Sequence, residues 1–185
     1  MSSPGQAKVH IIAQAYHLRY VADEDRIVLC VDLSGETELA MPITRRLTRN
    51  FLMALAKFVA ERTRANESAV SPDARDAVLD FEHSKAVAHA VADGAMREEA
   101  RKKPLSVASK PAREVNITPK AHGGLALSFD NSEQSVALEV SAERIHMVIE
   151  TFVRMAERAG WDFPPVASWL DPAKRSADAQ GRVIN

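Results

Sequence analysis

Two stretches of the chain carry the same alternation of apolar and polar positions, in the same order. The run Arg26-Ile-Val-Leu-Cys-Val-Asp32-Leu-Ser34 reads as a strand, turns through Gly35-Glu36-Thr37 and continues into Glu38-Leu-Ala-Met-Pro-Ile43. Far downstream, Gly124-Leu-Ala-Leu-Ser-Phe-Asp130-Asn-Ser132 turns through Glu133-Gln134-Ser135 into Val136-Ala-Leu-Glu-Val140. Aliphatic and β-branched runs bounded by polar turn residues are the signature of paired strands. Each second strand leads within a residue or two into a segment with helical apolar spacing. The first such segment carries Leu47, Phe51, Leu52, Leu55, Phe58 and Val59, and the second Ile145, Val148, Ile149, Phe152, Val153 and Ala156. Apolar residues recurring three, four, seven and eight apart predict helices buried along one face. With a one-residue slip in the hairpin, Phe51 matches Val148, Leu55 matches Phe152 and Val59 matches Ala156.

Each unit has strand-forming sequence upstream. Val9 to Val21 suits one bent strand or two short ones, and Arg113 to Thr118 is its shorter counterpart, with turns at Asp23-Glu24-Asp25 and His122-Gly123-Gly124. Pro42, late in its strand, places that strand at a sheet edge or at the exit into the helix. The expected fold class is therefore α+β: a duplicated β-β-(β)-α unit, antiparallel sheet or sheets with two long amphipathic helices packed on them, and an inserted Ala-rich helix. One such unit buries its apolar face poorly, so two copies are expected to cover each other around a pseudo-two-fold axis.

The boundaries follow: residues 1–64 form the first repeat, 65–111 a helical insert and linker, 112–172 the second repeat with an apolar strap, and 173–185 a loose tail. In the insert, Ser71-Pro72-Asp73 starts a helix, with Ser as N-cap, Pro in the first turn and Asp on the dipole. The helix is expected to run to about Arg101 and stop before Pro104, with Pro104 to Pro111 as an exposed linker. Its inner seam reads Ala74, Ala77, Phe81, Ser84, Ala88, Val91 and Ala95, a stripe of mostly small residues that needs a partner, either the duplicated core or a second chain. Gly160 is expected to end the second long helix, and Trp161, Phe163, Val166, Trp169 and Leu170 to fold back as a strap on the core.

Composition adds bounds. The chain has 185 residues with a net charge of -1, so no global field drives non-specific nucleic-acid binding, and any anion site must be local. The single cysteine, Cys30, excludes an intrachain disulfide, favours a reducing compartment and sits in an apolar run that reads as core. No apolar run suits a membrane span and the first residues do not resemble a signal peptide, so a cytoplasmic location is expected.

Candidate chemistry is sparse. Thr44 caps the first long helix while Arg45, Arg46 and Arg49 crowd its first turn, where a phosphate, carboxylate or acidic partner could bind. On the insert helix, Asp80, Glu82, His83, His89 and Asp93 read as a wet outer face, because the two histidines diverge around the helix and no HExxH spacing occurs. His10, His17 and His122 suggest no triad, and the repeated Asp32-Ser34 and Asp130-Ser132 pairs read as turn chemistry. No catalytic residue, metal site or cofactor is expected. The favoured function is a non-enzymatic protein-interaction module, an adaptor, chaperone or assembly factor for another protein. Its weak contact candidates are Ala74, Ala77, Phe81, Ala88 and Val91, and homo-oligomerisation is open to it. Two alternatives remain. A single-stranded nucleic-acid binder would need stacking aromatics, and Tyr16, Tyr20 and Phe129 with Arg19 give it thin support. An enzyme or small-molecule binder would need a site between the repeats.

Overall fold

The structure, a computed structural model, describes residues 8–13, 15–34, 37–62, 71–92, 105–164 and 166–170. In chain order the elements are β1 (Val9–Ala13), β2 (Tyr16–Val21), β3 (Arg26–Ser34), β4 (Thr37–Ile43), α1 (Arg45–Arg62), α2 (Pro72–Ala92), β5 (Leu105–Ala108), β6 (Glu114–Pro119), β7 (Leu125–Asp130), β8 (Gln134–Val140) and α3 (Ile145–Arg158). They form an α+β fold with two four-stranded sheets, ordered β2-β3-β4-β5 and β1-β8-β7-β6. Below these are the first and the second sheet.

The two halves match element by element. In each, a 3-10 turn (Ala22–Glu24 or Ala121–Gly123) joins the first two strands of an antiparallel meander. Each turn ends in a left-handed residue, Asp25 (φ 47°) in one half and Gly123 (φ 80°) in the other. The pairing registers correspond as well. Cys30 faces Ala40 and Asp32 faces Glu38 in the first sheet, while Ser128 faces Ala137 and Asp130 faces Ser135 in the second.

The fourth strand of each sheet comes from the segment that precedes the other sheet's meander. β1 pairs in parallel with β8, Ile11 opposite Val136, and β5 pairs in parallel with β4, Leu39 opposite Val107. Val9 to Val21 is the pair of short strands rather than one bent strand, and the two lie in different sheets. One expectation is corrected. The stretch read as an exposed linker, Pro104 to Pro111, contains β5. The connector after β5 is fastened to both sheets: the Ala112 N–H donates to the Pro42 carbonyl (2.9 Å), the Arg113 N–H to the Asp130 carbonyl (2.7 Å), and Asn131 Nδ2 to the Lys110 carbonyl (2.7 Å). Because β5 pairs only with Thr37 to Ala40, Pro42 lies beyond the ladder at the exit into α1.

Period-two alternation sends Ile27, Leu29, Val31, Leu39, Met41 and Ile43 to one face of the first sheet, all buried, and the second sheet buries Leu125, Leu127, Phe129, Val136, Leu138 and Val140 in the matching positions. The helices add Phe51, Leu52, Leu55 and Val59 from α1, and Val148, Ile149, Phe152 and Ala156 from α3. All of these belong to one continuous apolar cluster. Phe51 links the halves directly, with its ring 5.0 Å from Phe152 and 5.5 Å from Phe129. α3 ends in a Schellman motif at Gly160 (φ 65°): the Gly160 N–H donates to the Glu157 carbonyl (2.9 Å) and the Trp161 N–H to the Ala156 carbonyl (2.9 Å). The strap then folds back as expected, burying Trp161, Trp169 and Leu170. Among the described residues no helix is long and apolar enough to cross a membrane.

Candidate functional site

At the start of α1 the expected cap is present. The Leu47 N–H donates to Thr44 Oγ1 (3.3 Å) and the Thr48 N–H to the Thr44 carbonyl (2.9 Å). Arg45 is committed to the strap: its Nη2 donates to the Asp162 carbonyl (3.1 Å) and its guanidinium lies 5.7 Å from the centre of the Phe163 ring. Arg46 and Arg49 remain on the exposed side of the first turn.

α2 is turned opposite to the expected sense. Its buried residues are Leu79 and His83, whereas Ala74, Ala77, Phe81, Ser84, Ala88 and Val91 face outward. Phe81 is 65% exposed, Val91 55% and Val78 40%. The stripe read as an inner seam therefore does not pack on the core shared by the two sheets. Periodicity located the stripe correctly, but the opposite face holds stronger anchors. Leu79 joins the common core, Arg75 Nη2 donates to the Ala60 carbonyl near the end of α1 (2.6 Å), and Ser168 in the strap donates to Asp76. Asp93, Ala95 and the expected helix end near Arg101 lie outside the described residues, as does the tail.

His83 does not belong to a wet outer face; it is 1% exposed. Its Nε2 lies 3.1 Å from Glu150 Oε2, and its Nδ1 lies 3.3 Å from His146 Nδ1. Arg154 Nε donates to Glu150 Oε1 (2.7 Å). One consistent proton assignment has His146 donating to His83, and both His83 and Arg154 donating to an ionised Glu150. Trp169 closes the cluster, its ring 5.5 Å from His83 and 6.1 Å from His146. Burial, and then the neighbouring His83, lowers the His146 pKa to about 4. Covered in this way, the network serves to fasten α2 to α3. Sequence periodicity missed it because His146 and Glu150 share a face of α3 with apolar neighbours.

A second polar cluster lies on the face of the first sheet that turns away from the main core. Pairing sets His17 opposite Cys30 across β2 and β3, and Glu38 opposite Ser106 across β4 and β5. One ligand-type atom from each of His17, Cys30 and Glu38 lies within 4.8 Å of the other two. Glu38 is 1% exposed, and its Oε1 accepts from Ser106 Oγ (2.6 Å) with Arg19 Nη1 at 3.6 Å. Its Oε2 faces His17 Nε2 at 3.4 Å. Both Glu38 Oε2 and His17 Nδ1 are buried without a hydrogen-bond partner. Burial, and then the charge of Glu38, pushes the Cys30 thiol up to about 12, so it is no nucleophile at neutral pH.

The same place in the second sheet is built differently. Asn116 and Ser128 stand where His17 and Cys30 do, and Ser135 takes the place of Glu38. Asp130 accepts from Lys8 Nζ (2.5 Å), Ser128 Oγ (2.6 Å) and Asn116 Nδ2 (3.2 Å). Burial acts to raise its pKa, and these hydrogen bonds outweigh it, lowering the carboxyl to about 2. Asp130 is thus a buried, cation-paired group, and the turn chemistry assigned to it belongs to its neighbour: Asn131 Oδ1 accepts from the N–H groups of Glu133 and Gln134 (both 2.8 Å). The aromatics considered for base stacking are also accounted for. Phe129 is in the core, Tyr16 is mostly covered and Tyr20 sits edge-on to Trp161. A depression of about 440 Å³ beside the His122 turn is lined by Lys120, Ala121, Leu125, Glu139, Val140 and Ser141, with no histidine or cysteine among them.

Comparison with known protein families, curated proteins and solved structures returned no match, so these residues are the whole basis for reading function.

Proposed function

We propose that the chain is a non-enzymatic protein-interaction module that assembles through the outward face of α2. The observation that supports this reading is the stripe of Ala74, Ala77, Phe81, Ser84, Ala88 and Val91, which faces outward while the opposite side of the helix is pinned by Leu79 and His83. A helix with an apolar stripe along its outer side is either partnered or a liability in water.

The stripe fits a second copy of itself. In an antiparallel pairing centred between Phe81 and Ser84, Phe81 of one chain meets Ser84 of the other, Ala77 meets Ala88, and Ala74 meets Val91. Every large side chain then opposes a small one, as close packing of two helices requires, and the contact is isologous. A single helix pair with small side chains buries less than the roughly 1,600 Å² of a standard interface, so this association is weak and concentration-dependent.

Light scattering on the full chain tests it. Wild-type chain is expected to shift toward a dimer as concentration rises, and Phe81→Asp to remain monomeric with an unchanged circular dichroism spectrum. A wild type that stays monomeric at high concentration overturns the reading, as does a Phe81→Asp variant that dimerises equally well.

A further inference from the structure

The outward face of the first sheet carries chemistry that assembly through α2 does not use. We propose that His17, Cys30 and Glu38 bind a divalent transition-metal ion of the zinc class. Nitrogen, sulfur and carboxylate oxygen form the mixed donor set such ions take, and magnesium or calcium would not recruit the thiol.

The geometry supports convergence. Three adjacent strands project one donor each to the same face, with the donor atoms within 4.8 Å of one another. Two metal–ligand bonds of about 2.0–2.3 Å at a tetrahedral angle separate their ligands by roughly 3.5 Å. Rotation of the half-buried His17 side chain, the most exposed of the three, closes the difference. A fourth position on the His17 side falls to water.

Glu38 gives the independent sign. A buried carboxylate oxygen that makes no hydrogen bond is costly, and Oε2 is such an atom, with the His17 ring nitrogen facing it at 3.4 Å as two ligands of one ion would. The other oxygen is held by Ser106 and Arg19, as the outer shell of a metal-binding carboxylate holds its ligand. Ser106 reaches Glu38 only because β5, which precedes the second meander, crosses to the first sheet. The second sheet shows the alternative solution, in which the ammonium of Lys8 satisfies the buried carboxylate of Asp130. In the first sheet Arg19 stands 3.6 Å from Oε1, and the metal ion adds the positive charge that faces Oε2. Binding forms metal bonds to N, S and O and releases the Cys30 thiol proton to solvent, with no redox change.

Chelator-treated full-length protein titrated with Co²⁺, then with Zn²⁺ as competitor, tests the site. The expected result is one equivalent of Co²⁺ per chain, with a thiolate-to-cobalt charge-transfer band in the near ultraviolet that Zn²⁺ abolishes. Cys30→Ser is expected to lose the band, and His17→Gln to weaken binding by about tenfold or more, while the control His89→Gln leaves both unchanged. A Zn²⁺-dependent rise in the thermal midpoint of the chelator-treated wild type gives a readout that needs no variant to fold. Absence of a thiolate band at stoichiometric Co²⁺, or equal binding by wild type and His17→Gln, or a thermal midpoint unaffected by Zn²⁺, overturns the proposal.

Discussion

Phe51→Ala tests whether the two halves are thermodynamically one body. Phe51 belongs to α1, in the first half, and is 3% exposed. Its ring contacts are with Phe129 on β7 and Phe152 on α3, both in the second half. Truncating a core Phe to Ala costs about 3–5 kcal/mol through lost transfer energy and the remaining cavity. Each lost aromatic pair accounts for about 0.5–1.5 kcal/mol of that. Against a typical total stability of about 5–15 kcal/mol, this is a large fraction. For a chain of this size each kcal/mol lowers Tm by roughly 2–4 °C, so the expected drop is roughly 6–20 °C. Differential scanning calorimetry with near-ultraviolet circular dichroism is the assay, and a single transition should move as a whole. Two transitions, one at the wild-type temperature, would refute a shared core, and a shift under about 3 °C would refute the packing of Phe51.

Two further outcomes are expected. Gly160→Ala is expected to lower stability by about 1 kcal/mol, because a left-handed residue with a Cβ is strained. No atom lies within 4 Å of that added Cβ, so the loss is purely backbone, and a neutral effect in urea denaturation argues against the motif. His146 makes stability fall on acidification: its pKa drops from 6.5 to about 4 in the folded protein, so below 6.5 the unfolded chain takes up a proton that the folded chain resists. The contribution is complete above 6.5 and is lost as the pH falls toward 4. A His146→Phe variant whose urea midpoint changes between about pH 7 and about pH 5 as much as that of wild type would show the sign or the residue to be wrong.

The meanders and long helices were legible because period-two and period-3.6 signals are strong where one face is fully buried. Ile27, Leu29 and Val31, and then Phe51 and Leu55, declare themselves. The crossing strands did not, because β5 is a short edge strand, Leu105–Ala108, whose pairing with Thr37 to Ala40 depends on a partner far away in sequence. The orientation of α2 runs against its apolar periodicity for an energetic reason. The apolar stripe promised burial, but Leu79, a buried histidine network and the Arg75 cap on α1 fix the opposite face. The His17–Cys30–Glu38 cluster was invisible because its members meet only through register. Nothing local in Tyr16-His17-Leu18 announces a cysteine across the ladder.

The exchange of edge strands also sets an order of events during synthesis. β1 leaves the ribosome well before its ladder partner β8, from Gln134 to Leu138, is made. The first sheet likewise waits for β5 before Glu38 gains its Ser106 hydroxyl. Until then the nascent chain exposes an unpaired apolar strand, with Ile11 and Ala13 among the residues that the fold later covers, and closing so distant a contact is slow. Folding is therefore expected to be post-translational and rate-limited by strand exchange, with the waiting edges as the point of greatest risk of misassociation between neighbouring chains.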